Sequence, residues 1–145
     1  SMEGAMIMFQ EEFAKRLTSS HGSKSYGRIS VMFSSKMDHR IIANVKRNKF
    51  YPSPGVDATV VHFWPKRTFL TVPVDQELFS KLVHVVFLNR RKKLKNSVNP
   101  RSFGLDMDVK DIKWILDDMD ISDLRPEELS VERFITLSNR LAALK

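Results

Sequence analysis

The sequence contains no cysteine, which excludes disulfides and thiolate metal sites and makes a cytoplasmic location the simplest expectation. Glycine is scarce too: there are five among 145 residues, isolated from one another. They cannot assemble a P-loop, a G-x-G-x-x-G turn or a G-x-S-x-G elbow. No uninterrupted apolar run approaches the roughly 18 residues needed to cross a bilayer, so no membrane partner is expected. Met6-Ile7-Met8-Phe9 is too short for a secretory signal and is followed by acids. The four histidines, His21, His39, His62 and His84, show no ligand spacing, and no metal site is expected. Glu11/Glu12 and Asp117/Asp118 are adjacent pairs, which do not share a helical face and make no catalytic couple. On these grounds the residues themselves point to binding rather than catalysis.

What is present is a hydrophobic content of 42%, enough for a real core, and a formal charge of +7 that is unevenly spread. Residues 106–145 hold 6 Lys/Arg against 10 Asp/Glu, a net of −4. The other 18 and 7 fall in residues 1–105, a net of +11. The first two-thirds is therefore the part suited to a polyanion, and the last third is a mildly acidic helical appendage.

Residues 48–65 organise the chain. Pro52 and Pro54 fix their own φ and push Tyr51 and Ser53 towards extended backbone, while Gly55 leaves one adjustable joint. Phe50 and Tyr51 on such a loop can serve as a platform for a nucleobase, or can plug a core beside a proline-rich turn. Asp57 to Trp64, β-branched and aromatic, reads as a strand ending at Pro65.

Before it, Ala5 to Phe9 reads as a central parallel strand, Glu11 to Leu17 as an amphipathic helix, Ile29 to Phe33 as a helix or a strand, and Arg40 to Val45 as a strand. This is the grammar of an α/β domain with about three strands. Lys66 to Val74 reads as a linker. Gln76 to about Lys93 is the strongest helix, capped by Asp75. Val109 to Met119 follows with Asp108 as cap. A last helix begins after Ser130 and buries Phe134, Leu137, Leu141 and Leu144. The fold expected is α/β plus all-α: residues 1–70 as the α/β part and 71–145 as a small three-helix domain.

The run Arg90, Arg91, Lys92, Lys93 and Lys95 is the better functional candidate. Cations suit a helix C-terminus, which gives it a purely structural reading. Five cations in six positions also repel one another unless a polyanion neutralises them.

Several segments, taken in order, resemble the small-subunit ribosomal RNA adenine dimethyltransferases, the KsgA family. Met8 to Leu17 resembles its Leu-Gln-Lys-Glu-Val-Ala-x-Arg-Leu segment, and Gly22 to Val31 the following Ser-Lys-x-Tyr-Gly-Arg-Leu-Ser-Val. Phe50 to Ala58 resembles its Phe-x-Pro-x-Pro-x-Val-Asp-Ser loop. Phe87 to Ser97 is similar to its Phe-x-x-Arg-Arg-Lys-x-Leu-x-Asn helix, and Leu124 to Ser130 to its Arg-Pro/Ala-Glu-x-Leu-Ser. The resemblance implies dimethylation of adjacent adenines with S-adenosylmethionine as methyl donor, on small-subunit rRNA within a 30S-type ribosomal subunit.

It also implies that Phe50 stacks on the target adenine and that Arg90, Arg91 and Lys92 grip phosphates, with Lys24 and Arg28 as second-rank RNA contacts or structural residues. The family's cofactor motifs would precede Glu3 and are missing, so no cofactor binding is expected in this chain and it alone should be inactive. Glu11 stands where the family usually has Lys. On this reading the chain is the end of a Rossmann-like methyltransferase sheet followed by the helical domain. Strand Ala5–Phe9 would then lack a sheet neighbour, and self-association through that edge is expected. A non-catalytic ribosome-assembly module binding rRNA, and a DNA-binding helical protein, are the rival readings.

Overall fold

Acids open and bases close the first helix expected from the sequence, and that helix forms. The structure, a computed structural model, describes residues 3–68 and 71–145. Strand β1 (Ala5–Gln10) runs directly into helix α1 (Glu11–Thr18). Glu11 and Glu12 sit in its first turn, Lys15 and Arg16 in its last, in accord with the helix dipole. Ala14 and Leu17, one turn apart, are buried, and Lys15 reaches back to Glu11 at 3.3 Å. Helix α2 (Arg28–Ser34) settles the helix-or-strand alternative in favour of helix. Its Ser30 hydroxyl, fully buried, accepts from the Gly27 N–H at 3.1 Å and donates to the Arg16 carbonyl. One side chain thus stitches the end of α1 to the start of α2.

Strands β2 (Met37–Val45) and β3 (Ala58–Pro65) form an antiparallel pair with a register shift between Ile41 and Ala43. The sheet order is β1-β3-β2, and β1 also pairs antiparallel with β3, Ala5 opposite Phe63 and Gln10 opposite Ala58. The strand at Ala5–Phe9, expected as a central parallel strand, is therefore corrected in direction: it pairs antiparallel with β3 and has no second neighbour among the described residues. The apolar run identifies a strand but carries no information on its direction. Here β1 and β2 do run parallel, but β3 is inserted between them. Val61 and Thr59 of β3 are buried. Met6, Ile7 and Met8 of β1 are exposed, Met6 to 61%.

The expected linker from Lys66 to Val74 lies partly outside the described residues. Beyond it Asp75 caps α3 (Gln76–Leu88), its carboxylate accepting from the Leu78 N–H at 2.9 Å. The helix stops at Leu88 rather than at Lys93. Asn89 leaves helical geometry at φ −112° and ψ 41°, and its amide donates to the Val85 carbonyl at 3.1 Å. Asparagine competes for the backbone in this way, and a helical array of four successive cations would be self-repelling. The basic run occupies a turn, closed by the Lys92 N–H on the Asn89 carbonyl at 2.8 Å, and then enters α4 (Leu94–Ser97).

Helices α5 (Val109–Asp118) and α6 (Val131–Ala142) follow, capped by Asp108 and Ser130 as expected. The short α4 is additional to the three helices expected in this half. Phe134, Leu137 and Leu141 are buried, but Leu144 is 39% exposed because α6 ends at Ala142.

One apolar core joins α3, α5 and α6 to Tyr26 and to Val31 of α2. The Tyr26 ring packs edge-on against Phe87 at 5.9 Å, and Phe87 meets Phe134 at 5.7 Å. Its hydroxyl donates to the Leu129 carbonyl at 2.7 Å. Burial, with Glu132 nearby, pushes the phenol far above its ordinary value, so it stays a neutral donor. No helix among the described residues is long and apolar enough to cross a membrane.

Candidate nucleic-acid interface

Four cations from three separate stretches of chain converge where α1 ends and α2 begins. Arg16, Lys24, Arg28 and Arg90 line a groove of about 490 Å³, together with Ser25, Gly27 and Ser30. The Ser30 stitch fixes its floor. Arg28 projects from the first residue of α2 and meets His84 of α3, guanidinium nitrogen to Nδ1, at 3.2 Å. Arg90 enters from the turn after α3 and donates to the Lys24 carbonyl at 2.8 Å. Its guanidinium also meets Glu127 at 3.3 Å and sits 6.0 Å from the Phe87 ring centroid.

The groove separates the sequence-predicted cations into three groups. Lys24, Arg28 and Arg90 are brought together. Arg90 is engaged on three sides by protein, so its first role is to pin the 22–27 loop to the helical half. Arg91 and Lys92 are exposed on the turn and have no ion-pair partner among the described residues. Lys93 and Lys95 share one carboxylate, Asp123, at 3.2 and 2.7 Å. Hydrogen bonds from Lys95 and then Lys93 hold the Asp123 carboxyl below the usual range. These two lysines are thus already neutralised in part, unlike Arg91 and Lys92. Arg16 was not singled out by the sequence, although its place in the last turn of α1, off the Ala14–Leu17 face, was a usable signal.

The aromatic loop lies at the other end of α1. A single 3₁₀ turn, Arg47–Lys49, leads into Phe50, which is half-buried, and Tyr51, which is fully exposed. Neither reading of the pair holds for both rings: Phe50 is partly packed and only Tyr51 stands clear. Asp57 fastens the loop. Its Oδ1 accepts from the Arg47 backbone N–H at 3.0 Å and from the Arg47 Nε at 3.2 Å, with Lys46 at 3.5 Å from the other oxygen. The backbone N–H of Arg47, followed by its side chain, holds the Asp57 carboxyl below its ordinary range against partial burial.

The main-chain carbonyl of Asp57 accepts from the Glu11 N–H at 3.0 Å, tying the loop to the start of α1. An eight-residue helix is about 12 Å long, with the loop's tie at Glu11 in its first turn and the groove's Arg16 in its last. The Arg47–Asp57 fastening was legible only as opposite charges at the two ends of a Pro-Gly loop.

Among the described residues no group of three or more His, Cys, Asp or Glu could hold a metal. β1 passes into α1 without an intervening turn, and Gly27 precedes α2 without a preceding strand, so no strand–glycine turn–helix cradle exists among the described residues.

The model of the family described as "Ribosomal RNA adenine dimethylase" matches residues 1–140. The ribosomal RNA small subunit methyltransferase A of Pediococcus pentosaceus is 37% identical over 138 residues, covering 94% of this chain and 46% of that protein. The protein of the same name from Flavobacterium johnsoniae is 36% identical over 136 residues, covering 94% and 48%. The chain thus spans about half the length of the curated relatives it matches. In fold it is similar to the crystal structure of a dimethyladenosine transferase from Plasmodium falciparum, with a TM-score of 0.77 at 24% identity, covering 94% of this chain and 56% of that one. It is also similar to the 23S rRNA methyltransferase ErmE, with a TM-score of 0.63 at 20% identity, covering 97% and 55%.

Proposed function

Because the chain belongs to the ribosomal RNA adenine dimethylase family, we propose that it is the RNA-docking portion of an rRNA (adenine-N6,N6)-dimethyltransferase. Residues 1–70 supply the end of the methyltransferase sheet and residues 71–145 the helical part. Methyl transfer from S-adenosylmethionine belongs to a cofactor site that this chain does not supply. The observation that carries the reading is the groove, where Arg16, Lys24, Arg28 and Arg90 meet, with Glu127 as the carboxylate on Arg90. Arg16, Lys24 and Arg28 have no ion-pair partner among the described residues, and such a concentration of positive charge suits phosphates. Arg91 and Lys92 extend it along the turn, and Phe50 stacks on the target adenine. The partner is small-subunit rRNA in the cytoplasm.

Two measurements test this. The affinity for small-subunit rRNA should fall with salt, by about 0.9 in log–log slope for each duplex phosphate contact. Tighter binding to duplex DNA than to structured rRNA would overturn the assignment. Incubated with rRNA and S-adenosylmethionine, this chain alone should transfer no methyl groups; turnover would place the cofactor site within it. The non-catalytic assembly module that binds rRNA is the rival reading. It gains ground if a chain carrying the family's full length also shows no transfer.

The β1 edge carries the second part of the proposal. Its exposed Met6 and Met8 flank a row of backbone groups with no strand beside them among the described residues. Self-association through this edge should appear as concentration-dependent dimerisation in sedimentation velocity. A Met6→Lys/Met8→Lys variant should be monomeric at the same concentrations. A parent chain that stays monomeric throughout removes this part.

A further inference from the structure

Tyr51 is 102% exposed, yet the loop that carries it is tied down on both sides. Arg47 donates to Asp57 Oδ1 through two nitrogens and, through Nη1, to the Gly55 carbonyl at 2.6 Å. The Ser53 hydroxyl returns a bond to the Arg47 carbonyl at 2.9 Å. Pro52 and Pro54 remove two further backbone torsions. A freely rotating loop tip would lose much of its stacking energy to ordering, whereas a tip already ordered keeps it. Both faces of the Tyr51 ring are open to a flat partner. Lys49, two residues away, is exposed and has no acidic partner among the described residues, so it can meet a backbone phosphate.

We propose that Tyr51 is a second stacking face, taking an unpaired nucleobase next to the one held at Phe50, with the Arg47–Asp57 pair as its positioning latch. This rests on the RNA-docking reading above and adds a residue to it. Phe50 is half-buried and Tyr51 follows it in the chain, so a strand whose base meets Phe50 brings its neighbouring base to Tyr51. Stacking accepts any base, so Tyr51 contributes affinity for unpaired RNA rather than sequence choice.

The test uses a short single-stranded RNA with 2-aminopurine replacing one adenine, whose fluorescence is quenched on stacking. Tyr51→Ala should weaken binding by about 5- to 100-fold and reduce the quench, at an unchanged salt slope because no phosphate contact is removed. Tyr51→Trp should retain the parent affinity, and Tyr51→Leu should behave like Tyr51→Ala. The latch is tested by Asp57→Ala. Removing an acid beside RNA tightens binding if charge alone matters, whereas loss of the latch weakens it. A Tyr51→Ala variant as tight as the parent, a Tyr51→Leu variant that restores binding, or an Asp57→Ala variant that binds more tightly overturns the proposal. If the parent binds with a normal salt slope while Tyr51→Ala is silent, the RNA reading survives and only this inference falls. A parent that binds no RNA removes both.

Discussion

Replacing Lys24, Arg28, Arg91 and Lys92 together with Glu should flatten the salt dependence of RNA binding by about 3 log units of affinity per log unit of salt. Four phosphate contacts at roughly 0.7 each for single strands and 0.9 for duplex give that figure. Over a fourfold rise in salt these contacts account for a factor on the order of 10² in affinity, and the variant should lose that sensitivity. All four residues are exposed, so the fold should survive, as far-UV circular dichroism would check.

The paired substitution of Lys93 and Lys95 is the internal contrast. These side chains already share Asp123, so replacing them should move the slope less than replacing Arg91 and Lys92. Arg90 is excluded from the set because its bonds to the Lys24 carbonyl and Glu127 make it a structural tie, and its loss would mix unfolding with weaker binding. An unchanged slope in the fourfold variant would remove the groove from RNA docking.

The second large effect is on stability. Phe134 is fully buried, and Phe134→Ala should cost about 3–5 kcal/mol through lost burial and the cavity left behind. For a chain of this length that lowers the melting midpoint by roughly 10–15 °C. It is also a large share of the 5–15 kcal/mol that ordinarily separates folded from unfolded chains. Leu144→Ala, at the exposed end of the same periodic stripe, should stay within about 0.5 kcal/mol of the parent. Thermal denaturation of the two variants side by side decides the matter. Equal midpoints would mean that the core is not where the Tyr26–Phe87–Phe134 contacts put it.

That pair of residues shows what was legible in the sequence. Helical periodicity marks a face and Ser130 marks a start, so α6 and its buried residues could be read directly. Periodicity does not show where the helix ends, and the stripe was carried one residue group too far. The same failure extended α3 to Lys93, because Asn89 ends that helix through a local backbone bond that no pattern of apolar residues reveals. Ala5–Phe9 was recognisable as a strand, but direction and sheet order depend on which strand comes to lie beside it. The groove was half legible. Lys24, Arg28 and Arg90 could each be named from a resemblance, but their convergence depends on the Arg90–Lys24 bond across 66 residues and on Ser30 joining α1 to α2. Tyr51 could be named as part of an aromatic pair. That it stands clear while Phe50 is half-buried is not carried by residue type, since both side chains are aromatic.

Strand β3 is last in sequence and middle in space, and this orders the events of synthesis. The β2–β3 hairpin joins near neighbours in the chain and can close as soon as Pro65 has left the exit tunnel. Among the described residues, residue 5 has its place opposite residue 63. From its emergence until then, the apolar segment around Met6, Ile7 and Met8 is without its β3 partner. An apolar stretch that waits for a partner strand made more than fifty residues later is one that a nascent-chain chaperone can hold in the interval.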